Sequence, residues 1–193
     1  MKKLLTLAAG LFFLSNIAFA QQSDNPELPA IKSSNADAFF IPESVCKKYN
    51  VTPAQGDAWM KVYNNTEENA KLQRVNDIRW EAATKEEALQ WYKDNSAMLS
   101  ESGEDVTSQL TRPAAVDAWN VYETNKKMKE MMNSIGMKQN QYTYTFVVGK
   151  YVAKIFVGVN EATSLKESWT FAKEGLKAIL RASGNPKLAE LVL

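Results

Sequence analysis

Histidine is absent from this chain of 193 residues, and cysteine occurs once, at Cys46. Without imidazole, neither a Ser-His-Asp nor a Cys-His nucleophilic arrangement is available, and His-ligated zinc is excluded with them. A lone cysteine also rules out an internal disulfide and any thiolate metal cluster. The eight glycines are scattered, so no phosphate-cradling loop is present. Nor is there an apolar run approaching the roughly 20 residues that span a bilayer. Charge of one sign is missing too: 23 basic residues face 22 acidic ones. Without a concentrated basic face, neither nucleic acid nor an anionic membrane is an expected partner. No cofactor and no metal is expected. The chemistry left open is that of carboxylate, lysine, tyrosine or serine.

The amino terminus carries an address. Met1-Lys2-Lys3 precedes an apolar run from Leu4 to Leu14, and Ala18-Phe19-Ala20 stands before Gln21-Gln22. This is the order of a cleavable secretory signal: positive start, apolar stretch, small-x-small cleavage site. No cysteine follows the apolar stretch to take a lipid anchor. The expectation is a periplasmic or secreted protein of 173 residues that does not insert into the membrane after cleavage. Loss of residues 1–20 removes two lysines and no acid, leaving 21 basic against 22 acidic residues and a net charge of −1 instead of +1. That length, with 45% apolar residues and five tryptophans, suits one domain with a substantial core.

Residues 21–41 read as a flexible lead-in: 21–38 are polar, with two prolines and no hydrophobic period, and Phe39-Phe40-Ile41 is a first apolar anchor. A single α+β domain is expected over 42–193. Thr52-Pro53 suggests a helix start, with Trp59 and Tyr63 four apart on one face. Ile78 and Trp80, with Leu72, share one strand parity, predicting a strand over 74–81. Thr84 and Glu87 form a capping-box pattern that opens a helix through about residue 101. Val106, Ser108 and Leu110 alternate as a short strand would. Pro113 to Ser134 reads as a helix, interrupted near Asn125 or extended around Trp119. Two alternating runs, 142–148 and 151–157, flank Gly149-Lys150 as a hairpin with a type II′ turn, setting Phe146 opposite Ala153 and Tyr144 opposite Ile155. Ser164 and Glu167 then open a last helix, which Gly184 stops.

An internal echo runs through this order. Pro53-Ala54-Gln55-Gly56-Asp57-Ala58-Trp59 resembles Pro113-Ala114-Ala115-Val116-Asp117-Ala118-Trp119, consistent with duplicated α-β-α halves at 53–112 and 113–193. The expected architecture is an antiparallel β-sheet centred on the hairpin, with the 84–101 and 164–183 helices packed on one face.

For function, five tryptophans and seven tyrosines in an exported chain raise sugar stacking, although Trp59, Trp91, Trp119 and Trp169 each sit where a core face is expected. Trp80, Tyr142, Tyr144 and Tyr151 are the candidate ligand-binding residues; no catalytic or metal-binding residue is assigned. Met128, Met131, Met132 and Met137 read as a helix core face rather than a soft-metal site. Cys46, beside Val45 and Tyr49, reads as a small buried hydrophobe. Glu86 with Glu87, and Glu101 with Glu104 and Asp105, are sequence neighbours suited to capping or solvation. The leading expectation is an exported non-catalytic binding module for a protein or glycan. The alternatives are a carboxylate hydrolase acting on cell-envelope carbohydrate and a small enzyme inhibitor presenting a hairpin edge.

Overall fold

The computed structural model describes residues 28–67, 70–134 and 139–192. The expected signal at 1–20, the first residues of the lead-in and Met137 lie outside the described residues. Seven strands form a single sheet: β1 Val51–Gly56, β2 Met60–Asn65, β3 Leu72–Glu81, β4 Gly103–Asp105, β5 Ala118–Thr124, β6 Gln139–Val148 and β7 Tyr151–Asn160. Their spatial order is β1-β2-β3-β7-β6-β5-β4, and each neighbouring pair is antiparallel. Helices α1 Glu43–Lys48, α2 Lys85–Ser102, α3 Lys126–Ser134, α4 Leu165–Ala182 and α5 Pro186–Ala189 complete an α+β fold. No helix among the described residues is long and apolar enough to cross a membrane.

The hairpin is central, as its two-sided apolar pattern requires. Phe146 pairs with Ala153 and Tyr144 with Ile155 in the expected register. Gly149 has φ 58° while Lys150 stays at negative φ, the combination a type II′ turn demands. Asp117 fastens this turn from outside. Its Oδ2 accepts from the Gly149 N–H at 2.7 Å and its Oδ1 takes the ammonium of Lys85 in the first turn of α2.

Side-chain parity sorts the sheet into two faces, and the two long helices take one each. Val75, Tyr144, Phe146, Ala153, Ile155 and Val157 lie under α4, which buries Trp169, Ala172, Leu176 and Ile179 against them. The alternate residues Val147 and Val152 lie against Ala88 and Trp91 of α2. Helices 84–101 and 164–183 therefore sandwich the sheet instead of sharing one face. The reverse parity of the hairpin is the reason: Val147, Val152 and Phe156 are apolar on the second side and need a cover of their own.

Both helix starts use their caps. Ser164 and Glu167 make the complete reciprocal box, while Thr84 accepts from Glu87 N–H and Glu87 reaches one residue further back, to Ala83 N–H. The segment 53–63 is not helical. Pro53 sits on β1 at the sheet edge, where a missing N–H costs no ladder bond, and a register shift falls between Pro53 and Gln55. Val62 and Tyr63 are both buried, on opposite faces of β2, so the four-residue Trp59–Tyr63 spacing is no helical stripe. Pro113–Ser134 is likewise strand first and helix only from Lys126. The helix-first order expected for each half is thus not the observed one, since Asp57-Ala58-Trp59 and Asp117-Ala118-Trp119 each lead into a strand. The 106–110 region is a 3-10 turn at Thr107–Gln109, and the strand lies just before it at β4. In α3, Met131 is 51% exposed and does not join a core face.

Residues 28–41 pack closely against the sheet. Leu28, Ile31, Phe39, Phe40 and Ile41 are buried, and Pro29 O accepts from Glu81 N–H as a continuation of β3. From Leu28 onward, the stretch expected to be a flexible lead-in is part of the folded body, because its large apolar residues, Leu28, Ile31, Phe39, Phe40 and Ile41, are all buried.

Candidate functional site

The four candidate aromatics separate. Tyr142 and Tyr144 alternate down β6 beneath α4 and belong to the core, Tyr144 with no exposed surface and Tyr142 with 5%. Neither presents a ring to solvent, so both are corrections to the expected binding set. Their position in the central hairpin explains this: α4 covers the face of β6 on which both rings lie. Burial, reinforced by nearby Glu123, pushes the Tyr142 phenol up to about 12. Tyr151 and Trp80 remain partly exposed. Tyr151 packs on Phe39 with ring centroids 4.8 Å apart, and Trp80 leans on Trp91 at 4.7 Å. These two lie on opposite faces and form no joint site. The hairpin also lacks a free edge, since β7 pairs with β3 and β6 with β5. The sheet edges are β1 and β4.

An open groove lies elsewhere, where the first turns of α4 cross the ends of β3 and β7. It holds about 210 Å³, with Leu72, Val159, Phe171 and Tyr49 supplying its apolar wall. Lys71 and Glu167 close one side through a 2.6 Å ion pair. That pair, together with the Ser164 cap, holds Glu167 down to about 2.

Several other carboxylates among the described residues are held by basic or N–H partners. Lys61 holds Asp37 below the usual carboxylate range, and Lys150 does the same for Glu81. At Asp117 and Glu123 burial opposes ionisation, but Lys85 with the Gly149 N–H, and Lys129 with Asn140, outweigh it and lower both. Asp77 moves the other way. Burial raises it despite Arg79, yet it is wholly enclosed: Arg79 Nη2 lies 2.8 Å from Oδ1, and Ile41 N–H donates to Oδ2 at 2.8 Å. No group of three or more acidic or thiol ligands capable of holding a metal occurs among the described residues. Cys46 is buried, and desolvation pushes its thiol up to about 11, away from nucleophilic use.

Two features escape a sequence search for exposed chemistry. One is the buried Asp77–Arg79 pair. The other is Lys154, 8% exposed, whose ammonium lies 5.2 Å from the Phe156 ring centroid and has no ion pair among the described residues. Burial alone drops it to about 8. The signal for both was parity: Asp77 and Arg79 alternate with Val75, and Lys154 stands between Val152 and Phe156.

The geometry defines a class, an α+β sandwich of one seven-stranded antiparallel sheet between two capped helices. No family model, no curated protein and no solved structure gives a significant match to this chain.

Proposed function

We propose that this protein is an exported, non-catalytic binding module acting in the periplasm or outside the cell, with a protein or glycan as ligand. Export rests on the order of residues 1–20. The observation that carries the non-catalytic reading is the state of the carboxylates. A glycosidase needs one carboxyl held protonated near neutral pH, facing a second across a cleft. Here the carboxyls lowered by a lysine or an N–H are ionised, and among the described residues the carboxyl that burial raises, Asp77, is sealed beneath α4 and Ile41.

The groove beside α4 is the opening to test first, because it joins an apolar wall to a polar rim, as binding sites generally do. Thr170 lines it and is exposed, so Thr170→Trp fills it without touching the core. The mature protein is screened against envelope glycans and an envelope-protein extract, alongside single Asp→Asn and Glu→Gln variants. Loss of capture in Thr170→Trp with full capture in the acid series supports the proposal. Turnover of any glycan, abolished by one carboxylate change, defeats it in favour of the hydrolase.

A further inference from the structure

A polar rank crosses the middle of the apolar α2 face. Asn120 on β5 stands opposite Thr145 on β6, and Thr145 stands opposite Lys154 on β7. All three are more than nine-tenths buried, at 4%, 2% and 8% exposure. The ranks on either side hold Ala118, Val147 and Val152, and Tyr122, Thr143 and Phe156. Helix α2 reaches the rank through Ser96, whose Oγ accepts from Asn120 Nδ2 at 2.6 Å and donates to Tyr92 O at 2.7 Å. With Ser96 so engaged, Thr145 Oγ1 and Asn120 Oδ1 are buried with no hydrogen-bond partner. The Lys154 ammonium lies 5.2 Å from the Phe156 ring centroid and has no ion pair among the described residues.

Buried polar atoms are nearly always satisfied, and a buried cation nearly always has an anion. Thr145 and Lys154, partners in register, break these rules at adjacent positions. The rank brings an ammonium and a hydroxyl to register partners on adjacent strands of one face, both donors from which an oxyanion accepts. We propose that this rank is a binding site for a small oxyanion, carboxylate or phosphate, held by Lys154 Nζ and Thr145 Oγ1. Burial on three strands beneath a helix limits the ligand to a small ion or one terminal group. The site lies on the opposite face from the groove beside α4, so it stands or falls independently of the proposed function.

The test titrates the mature protein with sodium acetate, succinate, phosphate and sulfate at matched ionic strength. Melting temperature and the 13Cε signal of Lys154 in lysine-labelled protein are followed. At least one of the four should raise the melting temperature saturably and shift that signal. The carboxylate and phosphate arms then identify which oxyanion the site takes. Lys154→Met should weaken the binding at least tenfold and Thr145→Val several-fold, while Thr170→Trp leaves it unchanged. No saturable response beyond that of chloride in any arm, or a response that persists in Lys154→Met, overturns the proposal.

Discussion

The Gly175 carbonyl accepts a hydrogen bond from Arg79 Nη2 at 3.3 Å, and a Cβ at Gly175 would come within 2.8 Å of that same nitrogen. The helix approaches the sheet closely at this point because the residue there has no side chain. Arg79 reaches two further groups: Nε donates to Phe39 O at 2.9 Å and Nη2 lies 2.8 Å from Asp77 Oδ1. Asp77 in turn takes the Ile41 N–H. One buried pair thus ties α4, β3 and the segment 39–41 together.

Gly175→Ala should therefore be costly. The new methyl meets Ile155 Cδ1 at 2.4 Å as well as the guanidinium, and overpacking of this kind costs about 1–3 kcal/mol. Breaking the pair from the other side, with Arg79→Met, leaves Asp77 buried and unpaired, a loss of roughly 3–5 kcal/mol. Urea denaturation midpoints read both. A midpoint for Gly175→Ala equal to that of the parent would mean that α4 sits further from the sheet.

The turn at Gly149 gives a second expectation. Its φ of 58° lies where a β-branched residue is strained, and nothing lies within 4 Å of its added Cβ, so sterics with neighbours play no part. Gly149→Val should lose more than about 1 kcal/mol through backbone strain alone. Asp117→Ala should add to the damage by freeing the Gly149 N–H and the Lys85 ammonium. An unchanged midpoint for Gly149→Val would place the strain elsewhere.

These two sites mark what the residue pattern revealed and what it hid. The hairpin was legible because alternation, a two-residue turn and cross-strand register all point the same way. The two capped helices were legible for a similar reason: cap, stripe and stop agree. Residues 53–63 misled because Thr-Pro suits an edge strand as well as a helix start, and edge position is a property of the whole sheet. Tyr142 and Tyr144 misled because aromatic type says nothing of depth. Which side of the sheet each helix takes was written in Val147 and Val152, but reading it requires knowing that both faces are covered. The Asp77–Arg79 pair sits at core parity, where charge signals either a wrong register or a buried partner, and only the fold distinguishes them.

Export gives a third expectation. The protein recovered outside the cytoplasm should begin at Gln21, because Ala18-Phe19-Ala20 is the small-x-small pattern a signal peptidase cleaves. Intact mass of the exported form measures this directly. A recovered chain that still carries Met1 would refute it.

The last expectation concerns Lys154 and the sign of its pH dependence. Burial lowers its ammonium from 10.5 in the unfolded chain to about 8 in the fold. Between those values the unfolded chain holds a proton that the folded chain has released. Stability must therefore rise with pH across this window, because high pH removes a charge the fold disfavours. The full effect is roughly 3 kcal/mol, at about 1.4 per pKa unit, and most of it falls between pH 7 and pH 10. Other groups pull the opposite way. Cys46 titrates at about 11 in the fold and the Tyr142 phenol at about 12, so their unfolded forms ionise first and favour unfolding as pH rises. Those contributions are common to the parent and to Lys154→Met, and they cancel in the difference. The ionisable groups on the same face, Arg74 on β3, Tyr122 on β5, Asp105 on β4 and Tyr92 on α2, are also shared. In buffer free of oxyanions, Lys154→Met should be the more stable protein at pH 7 by about 2–3 kcal/mol, and its advantage should shrink below about 1 kcal/mol by pH 10. Urea midpoints of the two proteins at half-unit pH steps give the curve. A difference that stays flat from pH 7 to pH 10 would mean that the ammonium is paired or solvated in the fold.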